Sequence, residues 1–272
     1  MGKVNCPKGG ARVQREGKDG TVGKALSVLD QVAAFERPVR FSEILAASPY
    51  PKPTLYRLVQ ALTNQGILAF DPDRQTYAPG LRLVRLAHAA WLQSTLAPVA
   101  RARLDTLSAE VGETIHLAQL DLGQVLYIEK RDALRPEEMY SETGKVGSAY
   151  CTAVGKALLA FAPKTERDRL IDLQSFHQFT PNTITSADAL HDALDAIVGR
   201  GFALEDEEQK LGVVCIGVPV LTEMGRPIGG LSIRSTLEDH TIDDLVKFAP
   251  ALQQAARDIA YDAAKWHVKY ER

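Results

Sequence analysis

Residues 41–77 contain a pattern that few small folds share: a short apolar segment, a proline-rich turn, and a second segment with helical periodicity. The apolar positions of that second segment are Leu55, Leu58, Val59 and Leu62. Pro53 suits the first turn of a helix, and Gly66 suits the position just after its end. Two short strand candidates follow, on either side of the turn-rich tetrapeptide 71–74. This order of elements predicts a winged helix-turn-helix.

The other side of the second helix is polar, and nothing in the segment needs to bury it. Arg57 and Gln60 are the best candidates for contacts with base edges. Three more candidates lie nearer the helix start and the phosphates: Lys52, Thr54 and Tyr56. Arg40 and Arg74 are candidates for DNA backbone contacts, or are simply solvated. The motif favours DNA binding over a helical hairpin that only packs or a winged helix that binds protein.

The basic residues are concentrated around this motif. Residues 1–80 hold eleven Lys or Arg against seven Asp or Glu, a net charge of +4, whereas the remaining 192 residues carry a net charge of −6. A basic excess is what phosphate neutralisation requires of a DNA-binding region. Because +4 is a mild charge, we expect one copy to bind DNA weakly and a dimer to bind it better.

Composition indicates a soluble globular protein of the cytoplasm. The 272 residues are 45% hydrophobic and 24% charged. The sequence has no membrane-spanning stretch of roughly eighteen apolar residues and no secretory signal. The cysteines (Cys6, Cys151 and Cys215) have no CxxC spacing, and the six histidines have no HxxxH spacing. We therefore expect reduced thiols, no metal site and no cofactor.

The chain divides into four predicted parts. Residues 1–20 are rich in Gly and basic residues and predict a flexible tail, and residues 21–80 hold the winged helix-turn-helix domain. Residues 81–97 predict a linker helix with a broad apolar face that contains Trp91. That face either packs on the protein's own domains or pairs with its twin in a dimer, and we favour pairing. Residues 98–272 form the second domain.

This second domain is predicted to be α+β. Its strand candidates are 114–120, 124–129, 213–220 and 228–235. Its helix candidates are 98–111, 153–162, 164–173, 186–199 and a closing helix at 242–267. Strands in hairpins, interrupted by helices and then resumed, indicate an antiparallel sheet. Such a sheet leaves room for a ligand pocket at one end.

Three further segments make the chain recognisable: YCTAVGKALLAFAP at 150–163, GFALEDEEQKLGVVCIGVPV at 201–220, and GRPIGGLSIRS after them. Together with PKPTLYRLVQAL in the helix-turn-helix, they resemble the IclR family of bacterial transcriptional regulators over about residues 21–265. The resemblance implies a homodimer or dimer of dimers that binds double-stranded operator DNA. It also implies a C-terminal GAF-like domain that binds a small metabolite, often an organic acid.

The residues from Cys151 onward are candidates for a pocket that holds such an effector. Thr152 is a good N-cap for a helix that begins at Ala153, and the small side chains of Ala153, Val154 and Gly155 leave their N–H groups approachable. An exposed helix N-terminus attracts a carboxylate. Close packing of this helix on the sheet explains the small residues equally well, and the resemblance favours the effector site.

By the same resemblance, further residues line the effector pocket: Glu205, Val213, Cys215, Ser232 and Arg234. Candidates for its apolar or aromatic walls are Tyr127, Met139 and Tyr150. Two of the lining residues depart from the family pattern, in which Asp is frequent at the acidic position and a small polar residue stands in place of Arg234. Arg234 makes a two-pronged contact with a carboxylate, pairs with Glu205, or points to solvent.

Two other classes of function compete with an effector-controlled regulator. For an enzyme, Gly155-Lys156 fails the phosphate-loop pattern at Tyr150 and Ala157, and buried cysteines are far more often structural than nucleophilic with a base such as His116. The acidic run 205–208 is interpreted as a solvated strand end with one inward carboxylate. The second rival is a winged-helix protein whose C-terminal domain only dimerises. We expect a regulator, not an enzyme, in which effector binding alters operator binding.

Overall fold

A computed structural model describes residues 20–93, 96–133 and 142–270, without the side chains of Leu92 and of 266–270. The described residues form two compact units, one ending at Gln93 and the other containing everything from Leu96 onward. The predicted tail, apart from Gly20, and the predicted pocket residue Met139 lie outside the described residues. Within them, no helix is long and apolar enough to cross a membrane.

The first unit is a winged helix-turn-helix, as predicted. Its elements are α1 (Thr21–Ala33), β1 (Val39–Arg40), α2 (Phe41–Ala47), α3 (Lys52–Asn64), β2 (Leu68–Asp71), β3 (Thr76–Pro79) and α4 (Leu81–Gln93). The strands form an antiparallel sheet in the order β1-β3-β2. The short strand β1 was not predicted, because two residues are too few to show any alternation; pairing with β3 creates it.

The predicted apolar stripe of α3 is buried and forms the core of this unit. It consists of Leu55, Leu58, Val59 and Leu62, which join Val28, Val32 and Ile44 in one cluster. Gly66 follows the helix with φ of +67°, a left-handed conformation that glycine adopts without strain. Thr21 is the first residue of α1, and Gly20 holds its N-cap position.

The second unit contains a six-stranded antiparallel sheet with helices on both faces. Its first half comprises α5 (Ala97–Val111), β4 (Thr114–Asp121), β5 (Gln124–Arg131), β6 (Val146–Ser148), α6 (Ala153–Ala160), α7 (Lys164–Asp172) and α8 (Ala187–Arg200). The rest comprises β7 (Ala203–Asp206), β8 (Val213–Leu221), β9 (Pro227–Thr236), α9 (Ile242–Val246) and α10 (Ala249–Tyr270). The strand order is β6-β5-β4-β9-β8-β7.

Two adjacent glycines show that the helices cover opposite faces of this sheet. A Cβ on Gly230 would lie 2.8 Å from a side-chain carbon of Val154 in α6. A Cβ on Gly229 would clash with the side chain of Leu96, the residue that precedes α5. Because neighbouring residues of a strand point to opposite faces, α6 covers one face and the start of α5 the other.

The predicted closing helix is broken into α9 and α10. Pro250, at the second position of α10, has no N–H to continue a helix from Val246. Thr241 and Asp244 form a capping box that starts α9. The short edge strands β6 and β7 were also missing from the predicted sheet.

Candidate functional site

The predicted effector site is centred on the N-terminus of α6. Thr152 occupies the N-cap position, but its hydroxyl donates to the carbonyl oxygen of Ser148 at 2.8 Å and caps no N–H of the helix. The first helical hydrogen bond in this turn runs from the Lys156 N–H to the Thr152 carbonyl, at 2.9 Å. The three N–H groups ahead of it therefore face the site without a side-chain cap.

This first turn lies very close to β8, because Gly217 has no side chain. A Cβ on Gly217 would lie 2.6 Å from the carbonyl carbon of Ala153 and 2.7 Å from the amide nitrogen of Val154. The structure therefore shows the close packing of helix on sheet that is the alternative explanation for the small residues here. It holds the helix N-terminus beside the side chains that flank Gly217.

Gly155 gives a stability test of this packing. A Cβ there would lie 2.5 Å from both Cα and O of Ala149 and 2.6 Å from the Thr152 hydroxyl oxygen. We expect Gly155→Ala to lower the free energy of unfolding by about 1–3 kcal/mol, because backbone atoms must move apart. The control is Gly199→Ala in α8, where nothing lies within 4 Å. Chemical denaturation should show a gain of about 0.5–1 kcal/mol for the control; equal effects would contradict the packing argument.

The predicted pocket residues of β7, β8 and β9 share the face that α6 covers. Glu205 is paired across the sheet with Cys215, and Cys215 with Arg234. One step along the strands, Gly217 is paired with Ser232. Because alternate residues of a strand share a face and Gly217 contacts α6, the whole group faces the α6 N-terminus. Val213 completes it and clusters with Ala153 and Cys215.

Glu205 is a buried carboxyl with two hydrogen-bond donors. Its side chain is 2% exposed and accepts from the Gln209 N–H at 3.1 Å, and the Cys215 thiol also hydrogen-bonds to it. Burial raises the pKa of Glu205 to about 6, although both hydrogen bonds oppose the rise. Burial also raises the pKa of the Cys215 thiol well above its ordinary value.

Arg234 is half-buried and lies near Cys215 and Tyr127, since its positive charge lowers the pKa of both groups against a larger rise from burial. In the part of the chain that the structure describes, the Arg234 side chain makes no hydrogen bond and no ion pair. The alternative in which it pairs with Glu205 is therefore not observed. As far as the described residues go, its guanidinium is available to a ligand or to solvent.

The aromatic wall candidates have different surroundings. Tyr127 is buried, with its ring 5.0 Å from that of His116. Tyr150 is buried too, but its hydroxyl donates to the His177 carbonyl at 2.6 Å, which holds the 173–186 loop. Burial raises the pKa of the Cys151 thiol, so neither Cys151 nor Cys215 is set up as a nucleophile.

The acidic run contains two inward carboxylates, so our prediction of one was wrong. Besides Glu205, Glu208 is buried and forms an ion pair with the buried Lys156 of α6. Burial raises the pKa of the Glu208 carboxyl, and the Lys156 ammonium opposes that rise. The Glu208 carbonyl accepts from the hydroxyls of Thr180 and Thr183. A lone lysine in the apolar run AVGKALLA was the available signal for this pair.

The predicted DNA-binding residues lie on the surface of the first unit. Lys52, Tyr56 and Arg57 are exposed on α3, and Thr54 and Gln60 are partly exposed beside them. Arg40 is exposed at the start of α2, and Arg74, in the β2–β3 turn, lies 4.0 Å from Asp71. The polar face of α3 and the wing turn therefore both present cationic groups to solvent.

Comparisons with known proteins identify both units. The model for the IclR helix-turn-helix domain matches residues 21–72, and that for the bacterial transcriptional regulator IclR C-terminal domain matches residues 88–261. The chain belongs to the IclR family. This confirms the resemblance seen in the sequence, and with it a DNA-binding helix-turn-helix type of transcriptional regulator with an effector-binding domain.

Members of the IclR family align with the chain over nearly its full length. The HTH-type transcriptional regulator KdgR of Escherichia coli K12 is 32% identical over 240 residues, 88% of this chain and 91% of its own. The IclR structure of Thermotoga maritima is 28% identical with a TM-score of 0.70, covering 89% of this chain and 98% of its own. An IclR homologue from Microbacterium hydrocarbonoxydans, solved with 4-hydroxybenzoate, shares the fold with a TM-score of 0.76 at 22% identity, over 90% of this chain and 100% of its own.

Proposed function

We propose that the chain is a transcriptional regulator whose operator binding is altered by a small carboxylate bound at the N-terminus of α6. The observation that carries this proposal is the pairing of an uncapped helix N-terminus with Arg234, whose guanidinium has no partner in the described structure, on one face of the sheet. Both features stabilise an anion. The homologue solved with 4-hydroxybenzoate, itself a carboxylate, supports the ligand class.

Glu205 limits which carboxylates fit. A buried carboxyl with its pKa near 6 is ionised at neutral pH, and a ligand anion placed beside it is repelled unless a proton lies between them. A ligand hydroxyl that donates to Glu205, or a proton taken up by Glu205 itself, provides that proton. If a ligand hydroxyl supplies the proton, the pocket favours an acid that also carries a hydroxyl. If Glu205 takes up the proton, ligand binding strengthens as the pH falls towards 6.

The DNA-binding unit carries apolar side chains suited to pairing with a second copy. On α1, Val22 is 74% exposed and Leu26 is 53% exposed. On α4, Leu81 is 82% exposed, Val84 is 64% exposed and Leu86 is 51% exposed. Exposed apolar surface of this kind marks a protein interface. We propose that these helices join two copies, so that two α3 helices reach two operator half-sites.

In this proposal the effector acts through linkage. A ligand bound in the C-terminal domain shifts operator affinity only if it binds the DNA-competent and DNA-incompetent arrangements of the dimer with different affinities. Couplings of about 1–3 kcal/mol are usual, which corresponds to roughly 5- to 150-fold in operator affinity.

The test is a titration of an operator selected by the full-length protein from random duplexes. Fluorescence anisotropy would be recorded with a panel of small carboxylates, including 4-hydroxybenzoate and hydroxy acids, each paired with its neutral amide. The proposal expects a carboxylate to change operator affinity and its amide not to. Binding that leaves operator affinity unchanged would contradict the proposal, a panel without any binding would favour a domain that only dimerises, and turnover of a panel member would indicate an enzyme.

Arg234→Ala is expected to weaken the binding of the active carboxylate by about 1.5–3 kcal/mol, the usual contribution of a hydrogen bond to a charged group. Operator binding without ligand should not change, because Arg234 belongs to the C-terminal unit. Calorimetry would measure the first quantity and anisotropy the second. Arg257→Ala, on the exposed side of α10, is the matched control. Equal losses in ligand and DNA binding would make Arg234 a structural residue.

A further inference from the structure

A cavity of about 450 Å³ lies at the opposite end of α6 from Thr152. Its floor is apolar and includes the buried side chains Leu158 and Leu170, and Leu126 and Ile228 extend it towards the rim. None of the predicted effector residues lines it. Its volume lies in the range of about 300–1,000 Å³ that small-molecule sites occupy.

Four charged residues lie at the opening of this cavity, and only two of them pair with each other. Glu166 and Arg226 lie 3.7 Å apart and neutralise each other. Asp121 and Arg169 also line the cavity, and within the described ranges neither side chain makes a hydrogen bond or an ion pair. Among the described residues, one carboxylate and one guanidinium at the edge of the apolar cavity thus have no partner.

We propose that this cavity binds an α-amino acid with an apolar side chain. Arg169 pairs with the ligand carboxylate, Asp121 pairs with its ammonium, and the ligand side chain packs on Leu158 and Leu170. A simple carboxylate engages only Arg169, and a simple amine engages only Asp121. Both side chains are exposed at the opening, and a zwitterion engages both. The inference is independent of the proposed carboxylate site, because the two sites share no residue.

Calorimetry on the full-length protein tests the ligand class. The probes are L-leucine and L-phenylalanine, with isocaproate and isoamylamine as the forms of leucine that lack the ammonium and the carboxylate. We expect leucine or phenylalanine to saturate the site, and the two one-charge analogues to bind roughly ten- to a hundredfold more weakly than leucine. Absence of saturable binding by either amino acid, or equal binding of leucine and isocaproate, overturns the proposal.

Variants place the binding in this cavity. Arg169→Met and Asp121→Asn each remove one exposed charge and should weaken amino-acid binding by roughly tenfold or more. Lys164→Met, in the same helix as Arg169 but outside the lining, should leave it unchanged. Arg234→Ala should also leave it unchanged, which separates this site from the proposed effector site. Ala162→Phe should fill the cavity; if that variant does not fold, the two charge variants decide, and no effect from either contradicts the proposal.

Discussion

Replacing Lys156 with methionine is expected to lower the free energy of unfolding by about 3–5 kcal/mol, the usual cost of removing one partner of a buried ion pair. Lys156 and Glu208 are 4% and 7% exposed, so removal of the ammonium leaves the Glu208 carboxyl largely shielded from solvent. The Glu208 carboxylate is then left charged or must take up a proton. Methionine fills nearly the same volume, so the loss reports the charge and not a cavity.

A double variant separates the attraction within the ion pair from the cost of leaving one of its charges buried alone. Lys156→Met with Glu208→Gln should recover much of the loss, because no uncompensated charge remains buried. Lys164→Met, on the exposed surface of α7, controls for the substitution itself and should change little. Urea denaturation followed by circular dichroism measures all three. A loss in Lys156→Met no larger than that in Lys164→Met would show that the ion pair is not buried in solution.

The position of this pair connects stability to the proposed effector site. Lys156 lies one turn after Thr152, and Glu208 belongs to the loop that follows Glu205. The pair therefore ties the start of α6 to the segment that carries the buried Glu205 carboxyl. Thr180 and Thr183 hold the same loop from the other side, through their hydrogen bonds to the Glu208 carbonyl.

Local patterns in the sequence predicted most of the helices and the long strands. The stripe Leu55, Leu58, Val59 and Leu62 is buried as its periodicity indicates, and the strand candidates 114–120 and 124–129 pair as the hairpin of β4 and β5. The short strands β1, β6 and β7 do not show in the sequence, since two to four residues carry too little alternation and each is defined by its pairing with a longer strand. The predicted closing helix is divided because Pro250, in the first turn of α10, starts a new helix.

The candidate site depended more on family resemblance than on local pattern. Glu205, Cys215 and Arg234 are far apart in the chain, and only the register of β7, β8 and β9 makes them neighbours. No local pattern predicts that the Thr152 hydroxyl donates to the Ser148 carbonyl. Nor does any local pattern predict that Lys156 pairs with Glu208, fifty-two residues later in the chain. The cavity lined by Leu158 and Leu170 is likewise formed by segments that are distant in sequence, so no sequence motif predicts it.

Arg57→Ala is expected to weaken operator binding by about 1–3 kcal/mol per half-site, the usual effect of losing a specific base contact. A dimer that engages two half-sites should lose about twice as much, roughly 2–6 kcal/mol. The structural reason is position: Arg57 is exposed near the middle of α3, on the side away from the buried stripe. For the same reason the substitution should leave stability unchanged.

Lys52→Ala is the comparison that separates base reading from phosphate contact. Lys52 stands at the first position of α3, and we expect its ammonium to contact phosphate. Its loss should weaken operator and scrambled duplex alike and reduce the salt slope of binding by about 1, whereas Arg57→Ala should weaken the operator far more than the scrambled duplex. Anisotropy titrations of both duplexes at several salt concentrations measure these effects. If Arg57→Ala lowers both affinities equally, Arg57 contacts phosphate, and the specificity of α3 must come from Gln60 or from DNA shape.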